Sequence, residues 1–114
     1  MQFCIAHANM GRLRLAIQDY SRSIHSFESA LGLLPNDTEP RTVVLRTQAQ
    51  LGLGLANSKL SDLETALAFF EAAIESAGDN LGLRGQVTVL SAQTLWNIGT
   101  EEFKESAKAQ LLQW

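Results

Sequence analysis

Apolar residues recur along most of the chain at the three- and four-residue spacing of an α-helix. One set of apolar positions steps by four, three, four and three residues, and a second set takes the same steps 43 residues later. Such spacing places one apolar stripe along a helix. The first set is Tyr20, Ile24, Phe27, Leu31 and Leu34, and the second is Leu63, Leu67, Phe70, Ile74 and Ala77. The pattern therefore predicts a repeated amphipathic helix.

Helical patterns also lie before, between and after the two copies. Residues 4–17 predict a short helix, residues 38–60 a long one, and residues 81–98 and 100–114 two more. Gly82, Gly85 and the β-branched residues 87–89 weaken the helical pattern after the second copy. Residues 87–90 are the only strand-like stretch, and we interpret them as helix. The prediction is an all-α protein of six helices in three hairpins.

Polar residues mark where two of these helices begin. Ser61 and Glu64 have the spacing of a capping box at the start of the second copy. Asp37 or Thr38 is expected to cap the long helix, whose first turn would hold Pro40.

Length and composition indicate an ordinary globular domain. The chain has 114 residues, 46% of them hydrophobic and 18% charged, with a formal net charge of −3. It is therefore long enough to bury a core and too apolar to be disordered. Cys4 is the only cysteine, which excludes an internal disulfide and suits a reducing compartment. The start of the chain carries no basic leader, and no stretch approaches the ~18 apolar residues of a membrane helix. We expect a soluble cytoplasmic protein.

Candidate chemistry is sparse. Cys4 and His7 share a helix face and could pair as nucleophile and base, but no carboxylate lies near them in sequence. His25 is on a different helix, so the residues do not make up the three or four ligands of a metal site. The glycines at 52 and 54 lack the preceding strand and third glycine of a dinucleotide-binding loop. We predict no catalytic site, no metal and no cofactor.

The helical pairs resemble the tetratricopeptide repeat, a helix-turn-helix unit of about 34 residues in which small and large apolar residues interlock. The matching positions expected to pack the repeats together are Gly11, Tyr20, Phe27, Ala30, Gly54, Phe70 and Ala73. The resemblance implies one domain, residues 1–114, built as a right-handed α-solenoid of three repeats at about 4–37, 38–80 and 81–114. A spacing of 43 leaves nine extra residues, 38–46. We expect them to lengthen the third helix at its N-terminus, where it would stand clear of the superhelix.

The resemblance also implies a non-enzymatic scaffold for protein partners, in which the first helix of each pair lines the concave face. The first-helix segments hold six basic residues and one acidic residue, whereas the second-helix segments hold three basic and eleven acidic residues. We therefore expect the concave face to bind an acidic protein segment; the alternative is a self-contained receptor for an acidic peptide. The residues assigned to this face are Arg12, Arg41, Arg46, Leu51, Leu55 and Lys59. The sparse positive charge and few aromatic residues argue against direct RNA binding.

Families with this repeat that hold chaperone tails use a clamp of cations and asparagines on the first helices. The matching groove positions here are Ala8, Arg12, Leu51, Gly52, Leu55 and Gln86. Only Arg12 among them is cationic, so we exclude a receptor for chaperone tails.

The segment LSAQTLWNIGTEEFKESAKAQLL is similar to the tetratricopeptide scaffold subunits of the fungal superkiller complex. That complex feeds messenger RNA to the cytoplasmic exosome, so the resemblance implies a role in RNA decay. Those scaffolds are far longer, which would make this chain an excerpt of one. The last predicted helix carries an apolar stripe that includes Phe103, Leu111 and Trp114. We expect this end to stack on a neighbouring repeat or to self-associate.

Overall fold

A computed structural model describes residues 2–97 of the chain. This part folds into five α-helices joined by short turns, and it contains no strand. The helices are α1 (Gln2–Ala16), α2 (Tyr20–Leu33), α3 (Pro40–Lys59), α4 (Leu63–Ala77) and α5 (Leu81–Asn97). The all-α prediction is confirmed for this part, and residues 87–90 are helical as interpreted. The predicted sixth helix, residues 100–114, lies outside the described residues, and so do Phe103, Leu111 and Trp114.

The helices pack in the order of the chain. α1 packs on α2 and α3 packs on α4, which gives two helical hairpins, and α2 also contacts α3. α5 packs on α4, and α3 contacts both α1 and α5. The first helices of successive hairpins are therefore neighbours, and α3 lies at the centre of the described part.

The core of the first hairpin is built around the Phe27 ring, which is 1% exposed. A methyl group on Gly11 of α1 would lie 2.8 Å from this ring, and one on Gly52 of α3 would also overlap it. Since real side chains do not approach so closely, both positions require glycine. Ala49 and Leu53 complete the cluster from α3. Phe27 therefore joins α1, α2 and α3.

A second phenylalanine occupies the equivalent place in the second hairpin. Phe70 is 3% exposed, and a methyl group on Gly54 would lie 2.5 Å from its ring. Ala66 and Ala73 of α4 are fully buried in the same cluster, together with Val87 of α5. Gly11 and Gly54 thus stand at corresponding places, 43 residues apart, and allow the same close contact of two helices.

The turns within the two hairpins also match. Gln18 and Ser61 are 43 residues apart and have φ angles of +66° and +64°, a conformation rare for residues other than glycine. Asp62, the next residue, caps α4: its carboxylate accepts hydrogen bonds from the Thr65 amide at 3.3 Å and the Thr65 hydroxyl at 2.8 Å. The predicted capping box is therefore wrong, because Ser61 has already turned away in the left-handed conformation. Gly78, with φ +55°, ends α4.

The start of α3 corrects the expectation that Asp37 or Thr38 caps the helix and confirms the place of Pro40. The cap position is Glu39, which makes no side-chain cap bond, and Pro40 occupies the first turn as predicted. Asp37 instead accepts a hydrogen bond from the Glu39 amide at 3.1 Å, within the loop before the helix.

The nine extra residues do lengthen α3, which has 20 residues against 15 in α1. The prediction that this extension stands clear of the other helices is wrong. Within the extension Thr42 is fully buried, and Leu45 packs on Cys4 and Ala30. The first turns of α3 therefore pack against α1 at Cys4 and α2 at Ala30, where they bury apolar surface that would otherwise be exposed.

Candidate functional site

A groove of about 200 Å³ runs across α1, α3 and α5. α1, α3 and α5 each contribute side chains to its walls, and the Phe27 ring and Gly52 form part of its floor. The wall residues are Arg12, Leu15, Gln48, Leu51, Leu55, Gln86 and Leu90. We call this feature the central groove. Of the six groove positions matched from sequence, it unites all except Ala8, which is buried beside Cys4 and Ala30.

The central groove is an apolar channel with a few polar groups at its edge. Its wall is well packed at Leu51, which is 8% exposed and belongs to the Phe70 cluster. Arg12 is the only charged side chain among the described lining residues, and it donates a hydrogen bond to the Asn9 side chain on the same helix. Gln48 and Gln86 add amides that both donate and accept hydrogen bonds. Such a surface can hold an apolar segment of a ligand. Arg12 can pair with one carboxylate of that ligand, and Gln48 and Gln86 can form hydrogen bonds with its backbone amides.

Arg41 and Lys59 face the same side of α3 as the central groove but lie outside it. Arg41 precedes Gly52 by eleven residues, which at about 100° and 1.5 Å per residue places it in line and about 16 Å along the helix. Arg41 lines a separate depression of about 340 Å³ with Ile5, Pro40, Val44 and Leu45. Lys59 is exposed at the opposite end of α3.

Arg46 does not belong to this surface, which corrects its assignment from sequence. It lies six residues before Gly52 and hence about 120° around the helix from it. Its guanidinium donates to the carbonyl oxygens of Pro35 at 2.9 Å and Asp37 at 3.2 Å. These charge-assisted bonds hold the loop between α2 and α3 in place. Arg46 therefore orders a loop, which the sequence pattern did not indicate.

Sequence reasoning missed three residues of the central groove: Leu15, Gln48 and Leu90. Gln48 could have been found, because it precedes Leu51 by three residues and Leu55 by seven and so shares their helix face. Leu15 and Leu90 were hidden by their apolar character, which resembles that of core residues.

The cysteine of α1 is part of the core. Cys4 is 1% exposed, and its Sγ lies 3.3 Å from the carbonyl oxygen of Ala30, to which it donates. Burial raises the pKa of the Cys4 thiol above its ordinary value. A thiol that is buried and held neutral is a poor nucleophile. Within residues 2–97, no three metal-ligating side chains gather together, and no helix is both long and apolar enough to cross a membrane.

Comparison with known proteins agrees with the helical pairs. Residues 47–80, from within α3 to the end of the turn after α4, match the family model of the tetratricopeptide repeat. Residues 47–80 are therefore similar to a tetratricopeptide repeat. The matched segment spans Gly54, Phe70 and Ala73, the close-packed residues of the second hairpin. Proteins built from tetratricopeptide repeats generally act as non-enzymatic scaffolds that bind protein partners.

Two longer curated proteins are similar to nearly the whole chain. Superkiller protein 3 of Schizosaccharomyces pombe is 33% identical over 114 residues, and Superkiller protein 3 of Saccharomyces cerevisiae is 22% identical over 112 residues. Each match covers 98% of this chain, and the chain spans 8% of the length of each relative. No solved structure matches the chain.

Proposed function

We propose that this chain is a protein-interaction scaffold whose central groove binds an acidic segment of a partner protein. Three repeats, at about 4–37, 38–80 and 81–114, would continue as a right-handed α-solenoid and form one domain. The observation that carries the proposal is the central groove itself. α1, α3 and α5 supply its walls, and the described lining residues combine leucines with Arg12 and two amides, without any carboxylate.

The chemistry of the groove supports an acidic partner segment. Leucine side chains and a buried aromatic floor favour apolar side chains of a ligand, whereas Arg12 favours a carboxylate beside them. Arg41 and Lys59 lie in line with the groove at the two ends of α3, so they can extend the favourable field beyond it. The proposed partner-binding residues are therefore Arg12, Leu51 and Leu55 within the groove, with Arg41 and Lys59 flanking it.

The similarity to two proteins named Superkiller protein 3 supports a place in a superkiller-type complex. In this proposal the chain is a segment of a scaffold that acts in cytoplasmic messenger RNA decay. Co-purification from cell extract with the 114-residue chain as bait tests it: folded subunits of an RNA-decay assembly are expected among the captured proteins. Capture of unrelated proteins only would contradict the assignment.

The groove is tested by placing a carboxylate at exposed lining residues, which tolerate substitution. Arg12→Glu and Gln86→Glu should each weaken binding of the captured partner, mainly by slowing association, and the loss should shrink as salt concentration rises. Glu71→Lys, on the exposed side of α4, is the matched control and should leave binding unchanged. If Glu71→Lys weakened binding and Arg12→Glu did not, the working surface would be on the second helices.

The size of the central groove also supports the second candidate, a self-contained receptor for an acidic peptide. A receptor binds one short peptide saturably, whereas a scaffold segment needs a larger folded partner. Titrating a captured partner and then its shortest acidic segment into the chain distinguishes the two. Equal affinity for both would favour the receptor.

The C-terminal end adds a further proposal about assembly. Phe103, Leu111 and Trp114 are predicted to form an apolar stripe that stacks on a neighbouring repeat or on a second copy. Trp114→Gln with Leu111→Gln should lower any concentration-dependent increase in solution mass. A wild-type mass that stays monomeric at high concentration would contradict self-association.

A further inference from the structure

The central groove has a polar edge and a leucine edge. Each of its three helices contributes a polar residue that is followed three or four residues later by a leucine. The pairs are Arg12 and Leu15 on α1, Gln48 and Leu51 on α3, and Gln86 and Leu90 on α5. Because short turns make successive helices antiparallel, α1, α3 and α5 run in the same direction. The polar groups therefore lie on the N-terminal side of the groove and the leucines on the other.

The two glutamines of the polar edge have hydrogen-bonding groups to spare. Gln50, which is close to them on α3, accepts a hydrogen bond from the Ser76 hydroxyl at 2.6 Å. Within residues 2–97, no such bond occupies the side-chain amide of Gln48 or of Gln86. Each amide has two N–H donors and one acceptor oxygen. The polar edge can therefore pair with peptide groups, which also combine a donor and an acceptor.

The charge of the groove is confined to one end. Arg12 on α1 carries it, whereas α3 and α5 contribute amides and leucines to the described lining. The hydrogen bond from Arg12 to the Asn9 side chain holds the guanidinium at the α1 end. A ligand therefore gains most by placing a carboxylate over α1 and apolar side chains over α3 and α5.

The dimensions of the groove favour an extended ligand. Neighbouring helices pack about 8–10 Å apart, so the path from α1 across α3 to α5 is about 16–20 Å long. An extended chain covers this distance with about five or six residues at ~3.3 Å each. A helix of the same length would occupy more than about 1,000 Å³, whereas the groove has a volume of about 200 Å³. A helix also satisfies its own peptide groups, which would leave the glutamine amides without backbone partners.

From these features we propose that the central groove binds its acidic ligand as an extended segment that lies across α1, α3 and α5. The carboxylate lies at Arg12, and peptide groups of the segment pair with Gln48 and Gln86. Alternate side chains of the segment point into the groove onto the leucines, so its apolar residues are two positions apart. This inference rests on the function proposed for the groove, and it specifies the conformation and residue spacing of the partner segment.

A library of synthetic peptides with blocked ends reads this spacing directly. Each peptide has nine residues, with aspartate at the first or the last position, leucines at two of the other positions in all combinations, and serine elsewhere. Fluorescence anisotropy measures binding to the full chain. The strongest binders should have their leucines two residues apart and within about six residues of the aspartate, which is the length of the groove. A helical ligand would instead select leucines three or four residues apart.

Variants of the full chain test the backbone pairing. Gln48→Met and Gln86→Met keep the length of the side chain and remove its amide, so each should weaken binding of the best peptide by about fivefold. Gln93→Met is the matched control and should have no effect, because Gln93 is exposed on α5 and is not among the described residues that line the groove.

N-methylation of the peptide tests the same pairing from the other side. Methylating the two peptide groups that precede the leucines removes two N–H donors and keeps every side chain. The wild-type chain should lose about fivefold or more in affinity. The double variant of Gln48→Met and Gln86→Met should lose less, since its partners for these donors are already gone.

The outcomes separate failure of this inference from failure of the proposed function. A preference for leucines three or four residues apart, with binding lost in Arg12→Glu, would retain the acidic ligand and overturn its extended conformation. Unchanged binding in both methionine variants would overturn the backbone pairing. Equal binding of the aspartate peptide and its asparagine counterpart would contradict the acidic partner, and hence the proposed function. No saturable binding by any peptide would overturn the inference alone, because an extended segment needs no folded partner around it.

Discussion

The two hairpins place a phenylalanine at the same point and surround it differently. Phe27 lies against glycines on both neighbouring helices, Gly11 and Gly52. Phe70 lies against one glycine, Gly54, and on its other side shares a cluster with Val87 of α5. The first ring thus meets helix backbone on two sides, whereas the second meets it on one side.

This difference shows what each joint depends on. Backbone cannot move aside as a side chain can, so a ring held between two glycines should make the α1–α2–α3 joint sensitive to a single added methyl group. The cluster around Phe70 includes a leucine and a valine, which can adjust their rotamers. The glycines of the first joint therefore allow close contact between helices, whereas the second joint should better tolerate a change in side-chain size.

Removing the rings should have the largest effect. Phe27→Ala and Phe70→Ala are each expected to lower the free energy of unfolding by about 3–5 kcal/mol, because they empty a filled core site. Phe27→Ala should lie at the upper end, since its cavity is lined by backbone that collapses poorly. Chemical denaturation measures both, with Glu75→Ala as the exposed control, expected within about 0.5 kcal/mol. If the control matched either ring variant, the assignment of the two rings to the core would fail.

Adding a methyl group opposite the Phe27 ring should have the next largest effect. Gly52→Ala is expected to cost about 1–3 kcal/mol through overlap with the ring. Gly85→Ala is the matched control, because Gly85 lies within α5 with open space around it. That control should gain roughly 0.5–1 kcal/mol from the higher helix propensity of alanine.

A double variant sharpens this test of the first joint. Phe27→Leu makes room for the added methyl group, so the cost of Gly52→Ala should be smaller in its presence. Additive losses in denaturation midpoints would mean that the ring and the glycine do not interact as described.

The helix caps offer a smaller comparison between the hairpins. Asp62→Ala should destabilise by about 1 kcal/mol, since it removes a carboxylate that caps α4. Asp19→Ala should cost less, because Asp19 makes no side-chain cap bond at the start of α2 and only approaches Arg22 at 3.6 Å. Ser61→Ala should have little effect on thermal unfolding. A loss from Ser61→Ala equal to that from Asp62→Ala would instead favour the capping box.

The smallest expected effect is a pH dependence that only the first hairpin has. Burial raises the pKa of the Cys4 thiol, so the folded state retains its proton at pH values where the unfolded state has lost it. This contribution is fully present below the unfolded pKa of about 8.5 and is lost as pH rises through the higher folded value. The second hairpin has Thr47 at the matching position, which does not titrate.

The control for this pH dependence is Cys4→Ala, in which all other groups titrate unchanged. Wild type should lose more stability than Cys4→Ala between pH 8 and pH 10 in denaturant titrations. Parallel curves for the two proteins would show that the thiol does not contribute.

The sequence was sufficient for the five described helices and for the residues that repeat. Phe27, Phe70, Gly11 and Gly54 could be paired because each position recurs 43 residues later with the same size of side chain. Gly52 could not be found in this way, because no glycine stands 43 residues before it or after it. The role of Gly52 depends on the distance between α2 and α3, and the spacing of residues within one helix gives no information about that distance.

The candidate groove was predictable only in part, for a similar reason. A charge count by segment indicated basic first helices, but it could not show which of the basic side chains reach the groove. Arg12 lines the groove, whereas Arg46 donates hydrogen bonds to the carbonyl oxygens of Pro35 and Asp37. Which way a guanidinium turns depends on loop backbone that carries no pattern in sequence.

Inserting the Phe27 ring between Gly11 and Gly52 has a consequence for how such repeats can be exchanged. The connection between α2 and α3 looks like the natural border at which one repeat could be cut out and replaced. The ring crosses that border, so a hairpin grafted in front of α3 keeps the joint only if it brings a large aromatic residue to face Gly52. A new hairpin placed after α2 must likewise bring a glycine to receive Phe27. The smallest unit that can be transplanted intact is therefore three helices long and extends from α1 through α3.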